Sequence, residues 1–419
     1  MYDFNFKMFL FYSIIYGNTL KYVIMTLSNI TLHRRKVLIQ IEFFDDENLI
    51  NLISILSVKP DKVCFVYDNK NFSKKDIDKI FNTCKVHIKD LQCELHPVNS
   101  KNLNEIYDLT LKLIPEDEEC VIDLTGGSDL MIIAGYKVAT QNDLVKMIYI
   151  DIEKEEVINL ENGQVISKTS SVSLEDYLSS IGAWFLPNTI EAPKSEDFDR
   201  ISKMAKYIFN NISEWRMTSN YLQQSMSFNP CLEFKNTYSY RTCKSKYRPN
   251  KALLIESERL GFISDLKINN MVEFSFPSQT YKYYMTTYGI WLELFVYIEA
   301  HKLMNVSEII HGAIIDWVVD DGIDKAGNEI DVLLNMKSRP ISISCKLTDP
   351  DIESINEILV NTRRISGRKG KGILVAFSDM KKNNSSTFIR AKNLGIGVID
   401  KQDILSDNFS ERLERIIYR

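Results

Sequence analysis

CVIDLTGGSDLMIIAGYKVAT, residues 120–140, passes from a short aliphatic run through two adjacent glycines into a stretch of helical length. Asp123 and Thr125 close the run, Gly126 and Gly127 follow, and Ser128 precedes Asp129 at the helix start. Glycines let backbone N–H groups approach an anion closely, and a helix N-terminus adds unpaired donors and a favourable dipole. A glycine pair alone more often just ends a buried strand. Here the flanking hydroxyls and the helix that follows make a better anion cradle, so Thr125, Gly126, Gly127 and Ser128 are candidate ligand-binding residues, with Asp129 beside them. The spacing is neither Walker nor GxGxxG, which argues against ATP or a dinucleotide.

Outward from this loop, similar runs recur at 37–44 (VLIQIEFF), 62–68 (KVCFVYD), 93–98 (CELHPV) and 146–151 (KMIYID), with amphipathic stretches between them. That alternation predicts a parallel, doubly wound α/β sheet, in which ligands bind beyond the carboxyl ends of the strands. The loop after the first run, Phe44 to Asn48, shares that edge.

DLTGGSD at 123–129 resembles the D-x-T-G-G-x-K loop of CRISPR-associated Rossmann-fold (CARF) domains, over roughly residues 36–160. The resemblance implies a homodimer that binds a cyclic oligoadenylate, cyclic tetra-adenylate above all, across its two-fold axis, with Thr125, Gly126, Gly127 and Ser128 near the phosphates. Asp129 stands where the family often carries lysine; a carboxylate there must turn away from phosphate or bond a base or ribose. Asn48 is a candidate reader of an adenine edge, or equally a plain helix cap.

At 419 residues the chain is long enough for two cores. Its net charge of −5 gives no global attraction for nucleic acid, so any such contact must come from local patches. Seven cysteines without a CxxC pair suit a reducing cytoplasm and argue against a zinc knuckle. Residues 8–25 are apolar but interrupted by Asn18 and Lys21 and lack a cleavage site, so no membrane anchor is expected.

In the second half, YGIWLELFVYIEAHKL (288–303) reads as an apolar helix carrying Glu293, and NEIDVLLNM (328–336) and PISISCKL (340–347) read as neighbouring strands of an antiparallel meander. Period-2 alternation puts Glu329 and Asp331 on one face, and Ser342, Ser344 and Lys346 on one face of the next strand. Carboxylates can hold Mg²⁺ or Mn²⁺ and a lysine can orient water, which is what metal-dependent phosphodiester cleavage needs. An acid and a lysine on adjacent strands are more often a surface pair; Glu293 beside them raises this set above that.

GIWLE, NEIDV and ISCK together resemble the PD-(D/E)xK (restriction-endonuclease-like) nuclease superfamily, in particular the branch fused to CARF domains. The resemblance covers roughly 285–400 and implies Asp331 as the first acid and Lys346 as the lysine. Ser344 occupies the place of the second acid, so a carboxylate from the next helix is expected to substitute, Glu357 ahead of Glu353. Cys345 is expected to pack inward while its backbone carbonyl serves the metal with Asp331 and Glu357. Asp316, Asp320 and Asp321 are weaker candidates for further ligands.

Two basic stretches complete the reading. Residues 235–251 carry Lys235, Arg241, Lys244, Lys246, Arg248 and Lys251 among Tyr238, Tyr240 and Tyr247, a composition that suits single-stranded nucleic acid. Residues 361–372 supply Arg363, Arg364, Arg368, Lys369 and Lys371, which suits a phosphate backbone without sequence specificity. The expected organisation is an N-terminal extension at 1–35, a CARF domain at 36–170, a connector with a winged-helix element at 171–280, and a nuclease domain at 281–419. The expected substrates are single-stranded DNA or RNA and supercoiled duplex DNA. The arginine-and-histidine pattern of metal-independent CARF-linked ribonucleases is absent from the sequence. The remaining alternative is an effector-controlled transcription regulator acting through the winged segment.

Overall fold

The computed structural model describes residues 37–188, 190–226, 231–241, 246–317, 327–367 and 370–418. The 1–35 extension, with its apolar run at 8–25, lies outside the described residues, as do Lys244, Asp320, Asp321, Arg368 and Lys369.

In the first half, β1 (Leu38–Phe43), α1 (Asn48–Val58), β2 (Lys62–Asp68), α2 (Lys74–His87), β3 (Gln92–Val98), α3 (Leu103–Leu113), β4 (Glu119–Asp123), α4 (Asp129–Thr140) and β5 (Val145–Asp151) alternate without exception. β6 (Glu156–Asn159) and β7 (Val165–Lys168) extend the sheet antiparallel, giving the order β3-β2-β1-β4-β5-β6-β7 with the first five parallel. Helices cover both faces, so β1 is buried on both. Ile39, Ile41 and Phe43 pack toward α3 and α4, while Gln40 and Glu42 face α1. The Rossmann-like α/β sheet expected from the alternation is present.

The chain then leaves through α5 (Leu174–Ile181) and β8 (Trp184–Phe185). Tyr177 and Leu178 of α5 share an apolar core with Leu52, Ile53 and Ile77 of the first sheet's helices, a core that residues of the second sheet also enter.

A middle region follows: α6 (Phe198–Asn210), α7 (Ile212–Met226), β9 (Glu233–Thr237), β10 (Tyr240–Arg241), β11 (Lys246–Tyr247), α8 (Lys251–Arg259), β12 (Ser264–Ile268), β13 (Met271–Ser275) and α9 (Gln279–Thr286). The β12–β13 hairpin acquires β9 as a third strand, stacked through Phe234 on Phe274, so the wing is a three-stranded sheet rather than two.

The last region comprises α10 (Ile290–Ala300), β14 (Val306–Asp316), β15 (Asn328–Met336), β16 (Arg339–Lys346), α11 (Ile352–Ser366), β17 (Lys371–Ala376), α12 (Met380–Asn383), α13 (Ser385–Asn393), β18 (Gly397–Ile399), α14 (Lys401–Ile404) and α15 (Phe409–Ile417). Its sheet has the order β18-β17-β16-β15-β14-β8, with the predicted antiparallel meander β14-β15-β16 at its centre and parallel β17 and β18 beyond. Apolar but for Glu293 and Glu299, α10 is buried along nearly its entire length, with Trp291, Leu294 and Phe295 in the core that also holds Val332, Ile343 and Val375.

The two sheets share packing. Ala313, Ile315, Ile330, Leu333 and Ile365 of the second region join the core of Leu49, Ile53 and Tyr177. Strand β8 hydrogen-bonds to the edge of β14, and the linker before α5 is held by the β15–β16 turn: Val172 N–H donates to Ser338 Oγ (2.9 Å) and Asn335 Nδ2 donates to Val172 O (2.7 Å). That turn places Lys337 (φ 53°) and Ser338 (φ 59°) in the left-handed region, which costs non-glycine residues roughly 1–3 kcal/mol each. The linker contacts offset this strain, so the local rule is broken where the domains meet.

Candidate functional site

Two recesses stand out, one at the carboxyl edge of the parallel sheet and one where the start of β15 meets the end of β16. The first is an open cavity of about 580 Å³ lined by Phe44, Asp45, Asp46, Asp68, Phe72, Ser100, Gly127, Ser128 and Asp129 among others. That is within the ~300–1,000 Å³ of small-molecule pockets. Gly127 has φ +90°, and a Cβ there would lie 2.5 Å from Phe43 Cβ, so only glycine fits this bend.

The glycine loop is held by its own carboxylates. Thr125 N–H donates to Asp123 Oδ1 (2.8 Å), and the Thr125 hydroxyl donates to the same oxygen while accepting Ile150 N–H (2.7 Å). Thr125 is thus spent on loop geometry and does not line the cavity. Gly127 N–H donates to Asp45 Oδ2 (3.0 Å), and Asp45 Oδ1 accepts Glu47 N–H (2.7 Å). Ser128 Oγ caps α4 by accepting Met131 N–H (3.4 Å). Asp129 does line the cavity. Asn48 is sent elsewhere: its Nδ2 donates to Ser180 O (2.9 Å), fastening α1 to α5. Its amide is thus engaged between helices, and Asn48 does not line the cavity.

Beneath the loop, Glu42 of β1 is paired in register with Asp123 of β4, and both are fully buried. Glu42 accepts from Asn51 Nδ2 (2.8 Å), Ser54 Oγ (2.7 Å) and the Gln40 amide. Burial, and then Asp123, still push the Glu42 carboxyl well up. Asp68 at the cavity wall behaves oppositely. Ser100 Oγ (2.7 Å), Lys70 N–H and Asn71 Nδ2 donate to it and hold it below the usual carboxylate range.

The second recess is narrow, about 40 Å³, and is lined by Glu329, Asp331, Ser342, Ser344, Lys346, Glu357 and Asn361. Strand alternation brings the acids of β15 to the same side as Ser344 and Lys346 of β16. Asp331 Oδ2 accepts Cys345 N–H (2.6 Å) and the Ser344 hydroxyl (3.4 Å). The Cys345 side chain is buried in the core. An extended residue directs its N–H and C=O to the same side, so the Cys345 carbonyl also faces β15. Glu353 and Glu357 are both exposed, but Glu357 lines the recess and Glu353, one turn earlier, does not.

Glu293 of α10 joins this group from below. Burial, then Asp331 and Glu329, raise its carboxyl to about 8, with Lys346 opposing them. Burial likewise raises Asp331. Carboxyl groups that burial and one another keep from ionising readily suit a hard divalent cation, which would hold them ionised through oxygen ligands.

Sequence reading missed three neighbours. His311 on β14 is buried, with Nε2 3.8 Å from Glu293 Oε2 and neither ring nitrogen hydrogen-bonded, and burial lowers it to about 4. Tyr283 of α9 feels Glu293, Glu329 and Asp331, which raise its phenol together with burial. Asn361 of α11 lines the recess and accepts from Asn328 Nδ2 (3.0 Å). A lone histidine or asparagine in an apolar run carries no sequence signal for such a role.

The basic stretches are only partly gathered. Arg363 and Arg364 are exposed on α11, but Arg364 lies over the Trp317 ring at 5.4 Å. Lys371 is instead depressed by burial and by Arg339, near the domain junction. In the middle region Lys235 pairs with Glu273 (2.8 Å) and Lys251 sits over Tyr238.

Residues 39–177 match the family model described as the Card1 CARF domain, and this part of the chain is a CARF domain. Two solved structures share the arrangement of nearly the whole chain. One is the crystal structure of protein VC1899 from Vibrio cholerae, with TM-score 0.72 and 14% identity over 90% of this chain and 98% of that one. The other is Can2 from Sulfobacillus thermosulfidooxidans in complex with cyclic tetra-adenylate (cA4), with TM-score 0.66 and 17% identity over 91% and 99%. At such identities the likeness is one of fold. No curated protein matches the chain by sequence. Among the described residues no helix is long and apolar enough to cross a membrane.

Proposed function

We propose that this protein is a cyclic-oligoadenylate-activated, metal-dependent nuclease of CRISPR defence, which cuts DNA or RNA with little sequence specificity. The observation that carries the reading is the convergence of Glu293, Glu329, Asp331, Lys346 and Glu357 on one recess of a sheet that packs directly on a CARF domain. The Can2 neighbour holds cA4, which supports cyclic tetra-adenylate as the effector. The cavity beside Gly127 is small for four nucleotides. A ring shared by two copies resolves this, and the exposed Ile133 and Tyr136 of α4 offer an apolar face for a homodimer.

In the nuclease recess Asp331, Glu357 and the Cys345 carbonyl would hold Mg²⁺ or Mn²⁺, which when bound neutralises developing phosphate charge and acidifies water. Glu293 and Glu329 complete the acidic wall that attracts the cation, and Asp331 is fixed by the Cys345 amide. Lys346 orients the attacking water and offsets the charge of the scissile phosphate.

Gating follows from one residue's occupation. The Asp45 carboxylate takes the Gly127 amide that a phosphate would use. An arriving effector phosphate displaces it and frees the loop that Asp45 ties to Glu47. Glu47 lies against Gly367 at the carboxyl end of α11, where a Cβ would be 3.9 Å from its Cδ. The same helix carries Glu357 and Asn361 into the recess. Effector binding thereby shifts the second acid relative to Asp331.

The test is cleavage of labelled single-stranded DNA, single-stranded RNA and supercoiled plasmid with Mn²⁺ or Mg²⁺ and cA4. Asp331→Ala and Lys346→Ala should each cut at least about 100-fold more slowly. Wild-type rates in both variants would remove the recess from the chemistry, and effector binding without any cleavage would favour a DNA-binding regulator.

A further inference from the structure

The edge of the CARF sheet gathers a donor set that neither site uses. Cys64 of β2 and Glu94 of β3 are register partners, and His96 lies two residues further along β3 on the same face. Their ligand atoms all fall within 4.8 Å of one another. Cys64 Sγ is 3.9 Å from Glu94 Oε2, and His96 Nε2 is 3.4 Å from the same oxygen. A tetrahedral zinc ion with bonds of roughly 2.0–2.3 Å sets neighbouring ligand atoms about 3.3–3.7 Å apart. The cluster is already close to that spacing.

The chemistry of the set is selective. Thiolate, imidazole and a single carboxylate favour zinc over magnesium, in contrast to the oxygen-only nuclease recess. His96 Nε2 is buried and makes no hydrogen bond, although it faces the carboxylate. Lys62 Nζ binds Glu94 through its other oxygen, Oε1, at 2.6 Å, and so turns Oε2 toward Cys64 and His96.

We propose that Cys64, Glu94 and His96 form a zinc-binding site with three protein ligands and one position left to water. Binding releases the Cys64 thiol proton to solvent and ties the outermost strand β3 to β2. The site stands apart from the nuclease reading and survives its failure. The competing account is a Lys62–Glu94 ion pair with two bystanders.

Co²⁺ added to chelator-stripped full-length protein tests it, because only a thiolate ligand gives a sulfur-to-cobalt charge-transfer band. The expected result is one equivalent of cobalt with that band, displaced by Zn²⁺, lost in Cys64→Ser and His96→Ala, and kept in Asp331→Ala. Zn²⁺ should raise the melting temperature of the wild type and not of Cys64→Ser. Absence of the band, or a band that survives Cys64→Ser, overturns the proposal. Because Cys64→Ser is nearly isosteric, an unchanged far-ultraviolet circular dichroism spectrum with a cooperative melt reports that the variant is folded.

Discussion

The cavity beside Gly127 and the recess at Asp331 are both walled by carboxylates, yet the balance differs: donors hold Asp68 down, whereas burial outweighs the Cys345 N–H and Ser344 hydroxyl that Asp331 accepts. Asp68 receives a hydroxyl, an amide side chain and a backbone N–H, and Asp45 takes two backbone N–H groups. At the recess, Asp331 and Glu293 are raised by burial, and Glu293 further by its acidic neighbours. A carboxylate already bonded by the protein can read or release a ligand's polar groups. Desolvated carboxylates pressed together call for a cation. Residue type alone therefore does not separate the two recesses; the balance of donors against burial does.

The comparison breaks most visibly at the second acid. Glu357→Ala should slow effector-stimulated cleavage by about 100-fold or more, while Glu353→Ala should stay within a few-fold of wild type. Single-turnover cleavage of a labelled oligonucleotide separates them, and equal losses would place the metal elsewhere.

Next in size is the cradle. Gly127→Ala forces a Cβ into Phe43 at a positive φ and should cost about 1–3 kcal/mol of stability along with effector affinity. Asp45→Asn weakens the internal occupant and should raise cleavage in the absence of cA4. Calorimetric titration with cA4 and effector-free cleavage rates check the two.

A pH profile sharpens the electrostatic contrast. Folding raises Glu293 from its ordinary 4.5 to about 8, so the protonated form is favoured in the native state. That contribution is whole below about pH 4.5 and is lost as pH rises through about 8. The melting temperature of metal-free protein should fall across this window, Glu293→Gln should flatten the fall, and Mn²⁺ should stabilise most at the alkaline end. Identical slopes for wild type and Glu293→Gln would place the charge strain elsewhere.

The smallest effect belongs to Asn48. Its bond to Ser180 O is worth roughly 1 kcal/mol, so Asn48→Ala should lower the melting point slightly and leave cA4 affinity within a few-fold.

How far these features were legible varied with their physical origin. Alternation of aliphatic runs and the glycine loop revealed the first sheet, because period and turn chemistry are local. The same period-2 pattern placed Glu329, Asp331, Ser344 and Lys346 on one wall of the recess. The bonds of Asn48 to Ser180 and of Thr125 to Ile150 were not legible because those partners are distant in sequence. His311, Tyr283 and Asn361 were invisible for the same reason: each reaches the recess only once sheet and helices are packed. The Lys337–Ser338 turn carries no glycine or asparagine, and it is held by partners distant in sequence, Val172 N–H donating to Ser338 Oγ and Glu153 O accepting from Lys337 Nζ.

The central claim is that the CARF domain gates the recess. Its most direct test is the initial rate of nucleic-acid cleavage by the wild-type protein with Mn²⁺, measured with and without cA4, beside Gly127→Ala. The account predicts strong stimulation by cA4 in the wild type and little in Gly127→Ala. Equal wild-type rates with and without cA4 would contradict it.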